Sequence, residues 1–383
     1  MHTTVAMKYD KVAEVIERRI QRGDYVVSGV PGERELASEQ GVSHMTARRA
    51  VQKLIDEGIL VRKSNGRLMP SDNDTSDDGR KTKQVAFLAP DFDSRQISLW
   101  RLALVEAAAK HSIGVRALSY THWEDLTVSE TFAAFDATFF IALPDLIPTH
   151  VDNLLRCFAP RLVSLELDLS HLGVRSINPF PVVCIRRLLD HLYQLGHRSI
   201  DCLNTQPVDK IALDRIAQWE LWRTLQGVDG VLHNDPVKVL ESPLPRAYEL
   251  VSRLIEERRL TSTAILCNTE PAAIGAIRAL REHNYVVGQD ISVCAVNDEG
   301  LAQYLSPTLT SLQMADPKPF IELCLEWMKN DQPGSNGPMA LEPLEVPIFI
   351  GESTGLAPAA ESEGPRPLKS MAGLIGLTAD ARR

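Results

Sequence analysis

Ser43, His44, Met45, Thr46 and Arg48 stand close together at the start of a stretch with helical periodicity, and Arg34, Arg49, Lys53, Arg62, Lys63 and Arg67 surround them. Hydroxyl, imidazole and guanidinium groups at a helix N-terminus suit hydrogen bonding to base edges in a DNA major groove, and scattered cations suit phosphates. The first five residues are the expected base readers. The other six are expected to hold phosphates or to belong to a wing. Arginine and lysine on a lone helix would read as a solvated face, so the neighbouring elements must decide.

Those elements are legible. Glu33 to Glu39 carries Leu36 and Ala37 as an apolar patch, Gly41 allows a turn, and Ser43 is an N-cap for a helix lasting to about Glu57. On that helix Ala47, Ala50, Val51, Leu54 and Ile55 share one stripe, which turns the polar residues outward. Gly58 stops it. Ile59–Arg62 and Arg67–Met69 read as short strands around Lys63-Ser64-Asn65-Gly66, a turn with the Asn-Gly hairpin signal. Lys8–Arg22, stopped by Gly23, forms a buttressing first helix. The order is that of a winged helix-turn-helix, and the expected partner is double-stranded DNA.

Pro31, Glu33, Arg34, Glu35, Leu36 and Ala37 are followed by Gly41, Val42, Ser43, Thr46, Arg48, Arg49 and Ala50, and then by Leu54 and Gly58. On these residues Lys8–Met69 resembles the N-terminal domain of the GntR family of bacterial regulators. The chain departs from the family pattern at Gly32, at His44 and Met45 where arginine and threonine are usual, and at the wing tip from Asn65 to Pro70. The resemblance implies DNA binding; His44 and Met45 imply an operator half-site other than the family's usual one.

The 383 residues carry a net charge of −9, with 44% hydrophobic and 24% charged side chains, ordinary for a globular chain of two or three domains. The charge is uneven. Residues 1–70 hold 12 basic and 9 acidic side chains, whereas the remainder holds 29 and 41, so a mildly basic head precedes an acidic body that should stay off DNA. Six cysteines form no C-x-x-C pair and lie mostly in apolar runs, which points to buried reduced thiols, no metal and no cofactor. Met1–Asp10 has no apolar core and no run approaches the ~18 residues of a membrane span. A cytoplasmic protein without membrane partners is expected.

Residues 71–83 are polar and aperiodic and read as a flexible linker after a head at 1–70. From Gln84 short apolar runs alternate with helices: Val85–Ala89, Val115–Leu118, Ala137–Ala142, Leu162–Leu165, Ser199–Leu203, Ala264–Cys267 and Ile291–Val296 are strand-like, while Ile97–His111, His150–Phe158, Val182–Leu195 and Ala272–His283 are helical. This predicts an α/β body with parallel sheets covered on both faces, and its length suggests two lobes.

Leu195-Gly196-His197-Arg198-Ser199-Ile200, Thr263–Asn268 leading to Ala273-Ile274-Gly275-Ala276, Gly288–Val293, Ser306–Ser311 and Glu352-Ser353-Thr354 follow one another at telling intervals. On these motifs residues 84–354 resemble the effector domain of LacI/GalR regulators, itself similar to periplasmic sugar-binding proteins. The resemblance implies an effector and dimerisation domain at 84–356, with lobes of about 84–178 plus 299–330 and 179–298 plus 331–356. It further implies a sugar or sugar-like effector in the cleft, a homodimer and a palindromic operator. A cleft arginine falls on Arg215; two ligand-binding acids fall on Phe180 and on Asn297, with Asp298 beside it. Without those carboxylates an ordinary neutral sugar would lack acceptors for its hydroxyls. The candidate cleft residues are Asp91, Ser94, Trp100, Trp123, Phe180, Arg215, Trp219, Asn268, Asn297 and Asp298, with a place in the core as the competing reading for Trp100 and Trp219. Residues 357–383 are expected to be a disordered tail.

Other classes compete. Gly351-Glu352-Ser353-Thr354-Gly355 is a literal G-x-S-x-G, but Pro358 follows where a helix is needed and no histidine comes later, so the hydrolase reading fails. A transport receptor would share the body but not the head. A regulator with a degenerate, ligand-free cleft would share both. The reading carried forward is a DNA-binding regulator, a repressor and not an enzyme, whose operator affinity a small molecule modulates.

Overall fold

The computed structural model describes residues 8–21, 24–25, 29–63, 66–71, 83–92, 94–329 and 339–359. Helices α1 (Lys8–Gln21), α2 (Glu33–Glu39) and α3 (His44–Asp56) and strands β1 (Leu60–Arg62) and β2 (Leu68–Pro70) make the head. The Ser43 side chain accepts a hydrogen bond from Thr46 N at 3.2 Å and so caps α3. Gly58, just past its end, has φ +73°, a conformation that residues with a β-carbon resist. Between these stops Ala47, Ala50, Val51 and Leu54 pack with Ile16, Leu36, Leu60 and Leu68 in one core. β1 and β2 pair antiparallel, Arg62 opposite Leu68. Ser64 and Asn65 of the expected hairpin turn, and 72–82 of the expected linker, lie outside the described residues.

The first lobe of the body comprises β3 (Gln84–Pro90), α4 (Arg95–Lys110), β4 (Gly114–Tyr120), α5 (Leu126–Ala134), β5 (Ala137–Ile141), α6 (Thr149–Phe158), β6 (Leu162–Leu165) and β7 (Arg175–Ile177). The second takes α7 (Ile185–Gln194), β8 (Ile200–Asn204), α8 (Lys210–Gln226), β9 (Leu232–Asn234), α9 (Pro243–Glu256), β10 (Ala264–Cys267), α10 (Glu270–Glu282), β11 (Ser292–Ala295) and β12 (Thr310–Leu312). The chain returns to the first lobe with α11 (Lys318–Lys329) and β13 (Ala340–Leu341), and to the second with β14 (Ile348–Phe349). Strand order is β4-β3-β5-β6-β7-β13 in one sheet and β9-β8-β10-β11-β12-β14 in the other. All neighbours are parallel except β12 and β14. Parallel strands covered on both faces have no solvent side, and β5 is accordingly buried at all five positions.

The crossovers lie elsewhere than the resemblance implied. β12 pairs with β11, Thr310 opposite Cys294, so the chain stays in the second lobe to Leu312 and does not cross at 299. β13 pairs with β7, Ala340 opposite Ser176, so 340–341 belong to the first lobe. These strands are only three and two residues long, and their partners, not their own patterns, decide where they sit. Ala357, placed in the tail by its composition, donates its N–H to Leu195 O at 2.9 Å; 360–383 lie outside the described residues. Four cysteines are buried and Cys184 is half-buried, but Cys157, on α6, is exposed. Head and body meet at an ion pair, Arg116 Nη1 of β4 lying 3.0 Å from Asp24 Oδ1.

Candidate DNA-binding face and interlobe cavity

The stripe that buries Ala47, Ala50, Val51 and Leu54 leaves Met45, Arg48, Arg49 and Gln52 on the outer side of α3, all exposed. At its first turn the Ser43 and Thr46 hydroxyls lie 2.8 Å apart. Glu33 organises the neighbourhood: Arg62 Nη2 of the wing is 2.6 Å from its Oε1, and His44 Nε2 is 3.6 Å from its Oε2. Arg34, Lys63 and Arg67 are exposed on the same small domain. Lys53 departs from the expected phosphate role, since its ammonium sits 2.8 Å from Asp10 Oδ1 and ties α3 to α1.

The body encloses a cavity of about 680 Å³ between its lobes. Its position follows from topology. In an open parallel sheet side chains converge beyond the carboxyl ends of the strands, where strand order reverses. Here Phe92 follows β3, Leu143 follows β5, Glu166 follows β6, Gln206 follows β8, Thr269 follows β10 and Asn297 follows β11. The amino ends of α4 and α8 add Ser94, Arg95 and Gln96 and, opposite them, Asp209 and Lys210.

Of the sequence candidates the structure brings Ser94, Phe180, Arg215 and Asn297 to this wall. The other six stand elsewhere, for separate reasons. Asp91 is exposed at the end of β3. Trp100, Trp123 and Trp219 are core residues at 0%, 6% and 1% exposure, the competing reading for two of them. Asn268 is fully buried, with Nδ2 donating to Asn204 Oδ1 at 2.9 Å, and Asp298 holds its own loop by accepting from Gly300 N at 2.6 Å. Trp100 nevertheless acts on the cavity indirectly: its Nε1 donates to Glu166 Oε1 at 2.7 Å.

Glu166, Asp209, Glu299 and Gln96 are the residues that motif reasoning missed. Glu166, Asp209 and Glu299 supply the carboxylate acceptors that Phe180 and Asn297 lack, so the cavity retains such acceptors after all. The signal was present, because Glu166 immediately follows a fully buried four-residue strand. Burial raises Glu166 to about 7, against the Trp100 hydrogen bond and the charge of Arg215. Burial raises Asp209 and Glu299 as well, and it lowers Arg215 against the pull of Asp209 and Glu166. Arg215 Nη1 donates to Asn268 O at 2.6 Å. Two bonds clasp the lobes across the cavity: Arg95 Nε to Glu299 O at 2.6 Å, and Asn297 Nδ2 to Gln96 Oε1 at 3.1 Å.

The raised Glu166 sets a direction for pH. Unfolding returns it to the ordinary 4.5, so between about 4.5 and 7 the folded protein binds the extra proton and stability falls as pH rises. Glu270, raised by burial to about 8, acts in the same direction. Glu166→Gln is expected to flatten part of that fall, as read by urea unfolding at about pH 5 and pH 7.5; an unchanged difference between the two would contradict the assignment.

The G-x-S-x-G run is structural. Ser353 is fully buried, donating to Val293 O at 2.6 Å and accepting from Thr310 N at 2.9 Å. A β-carbon on Gly351 would strike Thr308 O, and one on Gly355 would strike Gly288 O. Close backbone approach explains both glycines. Among the described residues no group of His, Cys, Asp and Glu could hold a metal ion, and no helix is long and apolar enough to cross a membrane.

Residues 8–68 match the model for bacterial regulatory proteins of the gntR family, and residues 189–339 that for a periplasmic binding protein-like domain. The HTH-type transcriptional repressor PurR of Aliivibrio fischeri is 27% identical over 148 residues, 37% of this chain and 42% of that protein. The ribose operon repressor of Haemophilus influenzae is 33% identical over 169 residues, 40% and 46% of the two chains. The matched stretches thus span less than half the length of these relatives. Among solved structures, a LacI family transcriptional regulator from Arthrobacter sp. FB24 in complex with lactose has a TM-score of 0.59 at 17% identity, covering 72% of this chain and 100% of that one. The lac repressor dimer bound to operator and an anti-inducer gives 0.58 at 17%, covering 72% and 96%. The chain thus joins a head that matches the model of the gntR family of bacterial regulatory proteins to a two-lobed body with the fold of periplasmic binding proteins and LacI family regulators.

Proposed function

We propose that this protein is a cytoplasmic transcriptional repressor whose hold on a palindromic operator is set by a small molecule bound between the lobes of its body. The observation that carries the reading is a single chain with an exposed Arg48–Arg49 helix face on a helix-turn-helix head and, in its body, a cavity lined by partly buried ionisable groups. Retained carboxylates at Glu166, Asp209 and Glu299 favour a working cleft over a degenerate one. The relatives are named as repressors, which supports a regulator and not an enzyme.

The chain acts as a homodimer in this reading. Leu213, Leu221 and Leu225 of α8 are 46%, 53% and 71% exposed at one-turn or two-turn intervals, a face that a second copy would cover. Sedimentation equilibrium of the full chain reads this directly. A ligand that changes the angle between the lobes would move the two heads relative to each other, by way of contacts such as Arg116–Asp24, and alter their fit to the two half-sites.

Arg215→Ala tests the sensor. Its guanidinium faces Glu166 and Asp209, and removing it leaves both raised carboxylates without a counter-charge. The variant is expected to shift the ligand concentration needed for half of the native rise in melting temperature by at least about tenfold, upward for an acceptor-rich ligand and downward for a cationic one. An unchanged response to ligand would remove Arg215 from the site.

A further inference from the structure

The cavity lining combines two unlike kinds of surface. Ile97, Ile141, Leu143, Ile147, Leu165 and Phe180 contribute aliphatic and aromatic surface, most of it from the first lobe. Glu166, Asp209, Glu299 and Arg215, all partly buried, line the same space. A sugar carries hydroxyls around its whole rim, and those turned to the apolar surface would be desolvated without partners. A ligand with a hydrocarbon side would instead gain by burial there.

The charge of the lining is also one-sided. Seven carboxylates, Glu166, Asp209 and Glu299 among them, line the cavity against Arg95, Lys210 and Arg215, and Arg215 already donates to Asn268 O. The nearby Arg95 donates to Glu299 O. Burial makes the Glu166, Asp209 and Glu299 carboxylates each harder to ionise than in water, so each would gain from a donor-rich cation and each would oppose an incoming anion. At about 680 Å³ the space suits a molecule larger than a simple ion, within the usual range of small-molecule sites.

We infer that the effector of this regulator is an amphipathic amine, with a ring or aliphatic body against the Ile97–Leu143–Phe180 surface and a protonated nitrogen between Glu166 and Glu299. The inference rests on the effector-site reading above and narrows it from small molecules in general to cations with an apolar side. It disfavours sugar acids, phosphorylated sugars and carboxylates, which would meet the acidic lining with the wrong sign.

The test uses the full chain and three probes that share one hydrocarbon, phenethylamine, phenethyl alcohol and phenylacetate, with lactose and D-ribose as sugar controls. Melting temperature is read against concentration. Phenethylamine is expected to stabilise, the alcohol to need at least about tenfold more for the same shift, and phenylacetate to give none. Glu166→Gln combined with Glu299→Gln keeps the size of both side chains and one acceptor oxygen on each while removing the charge, and is expected to erase the preference for amine over alcohol. Phenethylamine without effect, or phenylacetate or a sugar stabilising as well as the amine, overturns the inference. If a sugar or acid stabilises and Arg215→Ala weakens that response, the effector site survives and only its ligand class is wrong. If no probe of any class acts on either protein, the effector-site reading fails with it.

Discussion

Arg48→Glu combined with Arg49→Glu is expected to lower affinity for operator DNA about a hundredfold or more while leaving the melting temperature of the free protein almost unchanged. Both side chains are exposed on the outer side of α3, so neither supports the head core of Ile16, Leu36, Val51 and Leu54. In the proposed docking each would touch a base edge or a phosphate, and a lost contact of that kind costs roughly 1–3 kcal/mol before the reversed charge adds repulsion. The substrate is a duplex selected from a random pool by the native protein, and the measurement is fluorescence anisotropy over a range of salt. The slope of log affinity against log salt should also shrink by about 2 if both residues face phosphates. Native affinity in the double variant would mean that α3 does not enter the groove.

Gly275→Ala is expected to destabilise the body by about 2–4 kcal/mol, a fall in melting temperature on the order of 10 °C. Gly275 lies on α10 where it crosses α9. An added β-carbon would overlap Leu244 O and stand 3.0 Å from Tyr248 N and 3.1 Å from the Ala247 side chain. Two of these three neighbours are backbone, so the helices themselves must separate, and with them the cluster of Leu250, Val251, Leu254, Ala276 and Leu280. Gly32→Ala is the control. Nothing lies within 4 Å of the β-carbon it would add, and its φ of −66° is ordinary, so the change should stay within about 0.5 kcal/mol. Equal melting temperatures for the two variants would show that α9 and α10 do not pack this closely.

The head was almost wholly legible from its residues. Its signals are local: Ser43 caps α3 with its own side chain, Gly58 ends it with positive φ, and four apolar residues at helical spacing fix which side faces inward. The sheets of the body were legible for a related reason, because a parallel strand buried on both faces must be apolar throughout, as Ala137–Ile141 and Ala264–Cys267 are. α8 and β9 gave weaker signals. α8 exposes Leu213, Leu221 and Leu225 while burying Trp219 and Trp222, so its pattern has little contrast between sides. β9 exposes Leu232 and Asn234 and buries His233, which is satisfied by Asp201 Oδ2 at 2.7 Å.

The cavity was legible only in outline. Phe180, Arg215 and Asn297 are found because they occupy positions that the LacI/GalR resemblance assigns to the cleft. Glu166 and Glu299 were missed because what makes them functional is non-local: they come together only when two sheets in different lobes point their carboxyl ends at each other. The three tryptophans stand among the cleft candidates, but large apolar side chains also make good core residues, and each is packed in a lobe interior.

The central claim is that the body's cavity and the head's DNA face are coupled in one molecule. The most direct measurement is the affinity of the full chain for its selected operator duplex with and without a saturating concentration of a compound that raises its melting temperature. A coupled regulator predicts a change of about 5- to 150-fold, corresponding to 1–3 kcal/mol, with a matching change in affinity for the compound when operator is present. A compound that stabilises the protein yet leaves operator affinity untouched would contradict the account, leaving a DNA-binding head and a binding domain that do not communicate.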